Sequence, residues 1–212
     1  MAIQSLYTAA TGMKAMDTKL DVISNNLANI GTVAFKRSRA NFEDILYQIR
    51  ELPGLRGGLD EFLPMGKQVG IGAQLSGTQQ EFTQGSMNQT DQPYDLAIQG
   101  DGFFQVQALV DGVEQTVFAR AGNFTLDANG QLVLGNLPGA RLEPTITIPQ
   151  DAVEVAISQQ GLVSARVSGA TEFQDVGQIE LARFINNVGL LQLGNNMFQQ
   201  TDASGPPIRQ SR

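Results

Sequence analysis

Ile3-Gln4-Ser5-Leu6-Tyr7-Thr8-Ala9-Ala10-Thr11-Gly12-Met13-Lys14-Ala15-Met16-Asp17-Thr18-Lys19-Leu20-Asp21-Val22-Ile23-Ser24-Asn25-Asn26-Leu27-Ala28-Asn29-Ile30 contains no proline and a single glycine. Its apolar residues Leu6, Ala9, Met13, Met16, Leu20, Ile23, Leu27 and Ile30 are spaced alternately three and four apart. That alternation is the seam of a coiled coil, so the spacing predicts one long helix over residues 1–32. Lys14, Asp17, Thr18, Lys19, Asp21, Ser24 and Asn25 occupy the other faces. Asn29-Ile30-Gly31 supplies the stop, with Gly31 expected in a left-handed C-terminal conformation.

A narrow apolar seam is stable only when covered. Each large side chain left wet forfeits roughly 1.5–3 kcal/mol relative to full burial. A helix lying on its own domain would also cover it, but no other segment here has a comparable heptad repeat. The eight seam residues are therefore expected to form an assembly interface with another helix. Charge is divided unevenly as well. Residues 1–40 carry five basic and two acidic side chains, net +3, while the remainder carries nine basic and nineteen acidic, net −10. A basic terminal helix and an acidic body can attract one another between subunits. The Lys36-Arg37-Ser38-Arg39 cluster also has the simpler reading of a solvated face.

Working outward, residues 33–75 are a connector. Asn41–Leu46 is expected to form a short helical turn. Residues 48–75, punctuated by Pro53-Gly54, Gly57-Gly58, Pro64, Gly66, Gly70 and Gly72, are expected to be a long interaction loop. From residue 76 to 200 the pattern is short strands with a turn every 8–12 residues, which predicts an all-β, barrel- or sandwich-like body. Phe124-Thr125-Leu126 and Gln131-Leu132-Val133-Leu134 flank Asp127-Ala128-Asn129-Gly130, a hairpin in which Asn129 and Gly130 are expected at positive φ. Further strands are expected at Thr145–Ile148, Val153–Ser158, Leu162–Val167 and Gln178–Arg183. Residues 201–212 form a polar tail. The fold class is mainly β with an N-terminal α-helix.

Composition narrows the chemistry. The 212 residues include no Cys, His or Trp, and 14 basic against 21 acidic groups give a formal charge of −7. Thiolate zinc sites, disulfides, Ser-His-Asp triads and histidine switches are excluded. The acidic balance argues against non-specific nucleic-acid binding. No run of about 18 apolar residues occurs, so no membrane-spanning helix is expected. Asp127-Ala128-Asn129-Gly130 lacks the calcium-loop spacing, with Pro138 where the twelfth-position Glu would stand. Gly100-Asp101-Gly102 and Gly70-Ile71-Gly72 lack the third glycine of a dinucleotide fingerprint. Asp91, Asp95 and Asp101 leave a carboxylate-based, peptidoglycan-acting enzyme as the alternative, although turns favour Asp for its backbone hydrogen bonds alone. Phe103-Phe104 reads as one core residue and one on the other sheet face. No cofactor, metal or catalytic residue is expected.

Leu20-Asp21-Val22-Ile23-Ser24-Asn25-Asn26-Leu27-Ala28-Asn29, with Thr32 and Phe35-Lys36, resembles the N-terminal signature of flagellar rod and hook proteins. Ala97-Ile98-Gln99-Gly100-Asp101-Gly102-Phe103-Phe104-Gln105-Val106 resembles a second hallmark of that family, and residues 120–133 a third. Similarity continues through Ile146-Thr147-Ile148-Pro149, residues 177–181 and residues 194–198. Residues 37–48 and the loop beyond are most similar to the distal-rod members, with proximal-rod and hook subunits as alternatives.

The resemblance implies a structural subunit of the basal-body distal rod, which polymerises into a torque-transmitting drive shaft enclosing the export channel. Its partners would be copies of itself, other rod, hook and ring proteins, and the flagellar type III export apparatus. Export without a cleaved signal peptide would place it in the periplasmic rod. Two departures stand out. Ala34 occupies the place of a family glycine, costing about 1 kcal/mol or more if that position is left-handed. Ser204–Arg212 carries no heptads, where the family's second heptad helix would be expected to follow.

Overall fold

The computed structural model describes residues 2–54, 65–110, 112–135 and 139–210. The chain forms two compact units. One comprises Met1–Thr32 and Lys36–Glu81, and the other Val33–Phe35 with Phe82–Arg212.

The first unit holds a helix, α1 (Ala2–Ala28), and four strands: β1 (Ser38–Asp44), β2 (Tyr47–Glu51), β3 (Lys67–Gly70) and β4 (Ala73–Gln80). The helix is long because its only glycine, Gly12, meets open space and no proline interrupts it. Its end differs from expectation. Gly31 is not left-handed; the positive φ falls at Ala34, at 60°. The last turn is closed instead by asparagine. Asn29 Nδ2 donates to the Asn25 carbonyl at 3.0 Å, which also accepts the Asn29 N–H at 3.1 Å, and to Asn25 Oδ1 at 2.7 Å.

The connector is more ordered than its glycines and prolines suggest. β1 pairs with β4 and β2 with β3, both antiparallel. The two ladders share one register from Phe42 to Ile49: Asp44 pairs with Ala73 and Tyr47 with Gly70, while Ile45 donates to the Gly72 carbonyl and Ile71 to that of Leu46. Residues 38–51 and 67–80 are thus a single two-stranded ribbon. Asn41–Asp44 is strand rather than helical turn, since pairing with β4 decides a segment whose own periodicity is mixed, and Ile45-Leu46 carries the chain on to β2. Within 48–75, Pro53-Gly54 and Gly66 mark strand ends rather than a continuous loop. Residues 55–64 of that expected loop, including Gly57, Gly58 and Pro64, lie outside the described residues.

The second unit is all β: β5 (Phe103–Val110), β6 (Val113–Ala119), β7 (Phe124–Leu126), β8 (Leu132–Leu134), β9 (Arg141–Glu143), β10 (Ala152–Ile157), β11 (Leu162–Val167), β12 (Gln174–Gln178), β13 (Leu181–Arg183), β14 (Leu191–Gly194), β15 (Met197–Gln199) and β16 (Ile208–Gln210). The main sheet runs β14-β15-β6-β5-β9-β8-β7, with β13 pairing both β5 and β16. A second sheet, β10-β11-β12, contributes Val163 and Ala165 to the same core as Phe104, Val106, Val117, Leu134 and Leu142. This is the sandwich-like arrangement that short alternating strands predict.

Phe103 and Phe104 point to opposite faces of β5, as a period of two requires, yet both are buried. Phe104 joins the main core, whereas Phe103 packs with Phe118, Phe184 and Phe198 in a second one. Rings 4.7–5.9 Å apart, mostly edge to face, fill that second core.

Three further expectations are corrected. Thr145–Ile148 is not a strand but a single bridge, Thr147 to Gln131, which buries Ile146 and Ile148. In the Asp127–Gly130 turn only Gly130 is left-handed, because the Gly130 N–H closes back onto the Asp127 carbonyl at 3.0 Å. The expected polar tail is built in: Ser204 is buried, and Ile208–Gln210 extends the sheet beside β13.

Candidate assembly surface

The helix has two different flanks. Gln4, Thr8, Thr11, Thr18, Val22 and Asn26 are half-buried, and Ala15 is buried at 8% exposure. This small, mostly polar stripe lies against the ribbon of its own unit. Thr8 Oγ1 donates to the Ile71 carbonyl at 2.9 Å near one end. Asn26 and Ser38 exchange two hydrogen bonds at the other. The lengths agree: eighteen helical residues rise about 27 Å, and the eight-residue advance along the ribbon from Ser38 to Leu46, opposite Ile71, covers about 26 Å. Gly72 makes the close approach possible, since a Cβ there would stand 2.2 Å from Thr11 Oγ1.

The heptad seam is offset from that stripe by one or two residues, rotations of about 100° and 200° that centre it on the opposite half of the helix. It therefore faces away from the ribbon. Leu6 is 69% exposed, Met13 68%, Leu20 61% and Leu27 67%. Met16, Ile23 and Ile30 are exposed large hydrophobics too, Ile3 extends the row, and Ala9 is exposed. A contiguous apolar row of this length is far from the scattered exposed leucines of ordinary surfaces and marks an interaction surface. Covering its seven large side chains offers on the order of 10 kcal/mol before the entropic cost of association.

The basic cluster is not simply solvated. Arg37 Nε donates to Glu81 Oε2 at 2.5 Å, and Arg39 Nη2 donates to Gln79 Oε1 at 3.0 Å, so these side chains brace β1 against the end of β4. The largely exposed guanidinium groups make these ion pairs of small energetic weight.

Among the signature residues, Asn25, Asn26 and Asn29 close the helix, Leu27 and Ala28 are exposed, and Phe35 and Lys36 are half-buried. Gly100 and Gly102 both take left-handed φ, 92° and 151°. A residue that sequence reasoning passed over holds them. Arg120 donates from Nη1 to the Gly102 carbonyl at 2.8 Å and from Nη2 to Gln84 Oε1 at 2.9 Å and to the Gly100 carbonyl. Its guanidinium carbon lies 6.0 Å from the Phe103 ring centroid. Burial pulls its pKa below the ordinary arginine value, with the Asp101 charge opposing. Its place two residues before Gly122 in the third signature was the available hint.

Two of the three carboxylates have local contacts, Asp95 and Asp101. Asp91 is exposed. Asp95 accepts the Thr90 hydroxyl at 2.7 Å and forms a backbone bridge with Asn123. Asp101 lies 3.8 Å from Arg183. Among the described residues no group of three or more acidic side chains converges to hold a metal, and no helix is long and apolar enough to cross a membrane.

Comparison with known proteins points one way. Residues 6–36 match the family described as "Flagella basal body rod protein", and residues 97–165 match "Flagellar hook protein FlgE/F/G D1 domain". The chain is 44% identical to the flagellar basal-body rod protein FlgG of Buchnera aphidicola subsp. Schizaphis graminum over 206 residues, 97% of this chain and 77% of that protein. It is 45% identical to the protein of that name from Caulobacter vibrioides over 204 residues, 96% and 76% of the two chains. The flagellar hook protein FlgE of Helicobacter mustelae is 40% identical over 136 residues, covering 62% of this chain and 28% of its own.

Proposed function

This chain belongs to the flagellar basal-body rod protein family, and from that premise we propose that it is a structural subunit of the bacterial distal rod. It polymerises into the drive shaft that transmits torque and encloses the export channel. Its role is mechanical rather than enzymatic. The observation that carries this reading is the exposed Leu6–Ile30 seam, an apolar row that the helix's own ribbon leaves bare.

Seam composition supports the same reading. Leu6, Met13, Leu20 and Leu27 fill one heptad position, while Ala9, Met16, Ile23 and Ile30 fill the other. Leucine at the first with isoleucine at the second disfavours a parallel pair and favours packing among three or more helices. A wall of helices around a channel meets that demand. The ribbon, with Tyr47, Ile49 and Val69 exposed, supplies lateral contacts that stiffen the shaft. Partners are copies of itself, neighbouring rod, hook and ring proteins, and the type III export apparatus, which delivers it to the periplasmic rod without a cleaved signal peptide.

The test replaces Leu20 and Leu27 with Asp in the intact gene. Rods and motility are expected to be lost while the purified chain stays folded. Normal rods would overturn the role of the seam, and placing the subunit by tomography separates distal rod from proximal rod and hook.

A further inference from the structure

Three residues other than glycine hold a left-handed backbone among the described residues: Ala34 at φ 60°, Asn195 at 50° and Asn196 at 59°. Each carries a Cβ that disfavours this conformation, asparagine less than most. They come from distant parts of the chain, yet two of the segments meet. Asn196 Nδ2 donates to the main-chain carbonyl of Val33 at 2.8 Å, across 163 residues of sequence.

Each side of that contact is built. Asn195 and Asn196 are the two central residues of the β14–β15 hairpin, flanked by the Gly194–Met197 pair. Two successive left-handed residues make the turn that matches strand twist. The register shifts between Gln192 and Gly194, and Gly194 is itself left-handed, so the tip is re-aimed relative to a plain hairpin. On the other side, Val33–Phe35 is a three-residue stretch that clusters with the β unit, although the chain before and after it belongs to the helix–ribbon unit. Ala34 packs against the main core of the β unit.

We propose that Asn196 is a positioning residue that fastens Val33–Phe35 to the β unit. The left-handed turn at Ala34 is the shape the segment takes when fastened. This goes beyond the assembly role and holds whether or not the chain polymerises.

The experiment measures backbone 15N order parameters on the full chain and its variants. Asn196→Gly keeps the left-handed turn, which glycine accepts freely, and removes only the amide donor. Asn195→Gly relaxes the same turn and leaves the donor. The expected result for Asn196→Gly is a fall at Ala34 and Phe35 from rigid values near 0.85 to below about 0.6, with β14 and β15 unchanged and with Asn195→Gly like the parent. Asn196→Asp, which keeps the turn preference but presents an acceptor to the Val33 carbonyl, is expected to loosen the segment likewise. Parent-like values at Ala34 and Phe35 in both Asn196 variants would overturn the proposal. Equal loosening by Asn195→Gly would overturn it too, by assigning the effect to the turn.

Discussion

The side-chain amide of Asn26 meets the main chain of Ser38 as a neighbouring strand would. Its Nδ2 donates to the Ser38 carbonyl at 2.8 Å, and its Oδ1 accepts the Ser38 N–H at 2.9 Å. One side chain thus satisfies both backbone groups where β1 begins and ties the last turns of α1 to the ribbon. Asn26→Ala leaves both groups unpaired in a half-buried place and is expected to destabilise the helix–ribbon unit by about 1–3 kcal/mol. Asn26→Asp retains the acceptor and loses the donor, so it falls between Ala and the parent. Urea denaturation followed by helical circular dichroism measures both, and Ala-like behaviour of the Asp variant would show that the donor carries the tie.

Gly72 tests how closely the ribbon must approach. Its φ of 142° is unfavourable for other residues, and a Cβ would stand 2.2 Å from Thr11 Oγ1. Gly72→Ala is expected to cost about 1–3 kcal/mol through this overpacking and backbone strain. Thr11→Ala in the same chain removes the oxygen and recovers part of the loss. Strict additivity of the two changes in a double-mutant cycle would refute the contact.

Ala34 stores a smaller penalty. A left-handed alanine costs about 1–2 kcal/mol, and glycine gives back part of that relief through its looser unfolded chain. Ala34→Gly is therefore expected to raise stability by about 0.5–1 kcal/mol. An unchanged or lower denaturation midpoint would contradict a left-handed alanine at this position.

Among the described residues of the β unit, Asp127 contributes to acid stability. The Asp127 carboxylate is held below its usual range chiefly because its Oδ1 accepts the Asn129 N–H at 2.5 Å; the Gln131 N–H, the Asn129 amide and the Arg141 charge also lower it, while desolvation opposes. A depressed folded-state pKa gives stability that is present above the unfolded value, about 3.9 for Asp, and is lost as pH falls through the folded-state pKa. Asp127→Asn is expected to flatten the stability-versus-pH curve below about pH 4. A parallel curve for the variant would remove Asp127 from the account.

What the sequence revealed and what it hid separate by range. The seam was legible because a helix writes its exposed apolar row every three or four residues, and Leu162–Val167 because a strand writes every second one. The ribbon was missed because Gly66, Gly70 and Gly72 look like loop punctuation, whereas Gly72 is there for the approach of Thr11. Asn26, Arg120 and Asn196 were not singled out for their contacts. Their partners, Ser38, Gly102 and Val33, lie 12, 18 and 163 residues away, where no local pattern reaches. Propensity pointed to Gly31, which is not left-handed, whereas Ala34, standing where the resembling family has glycine, is.

The shared register of the ribbon has a further consequence. The β1–β4 half of the ribbon lies along one flank of α1 as a splint, held by Thr8 at one end and Asn26 at the other. A splinted rod cannot roll to offer its grease in several directions. With Ala15 and its flanking stripe taken up by the ribbon, the face left to solvent is the one that carries Leu6, Met13, Leu20 and Leu27.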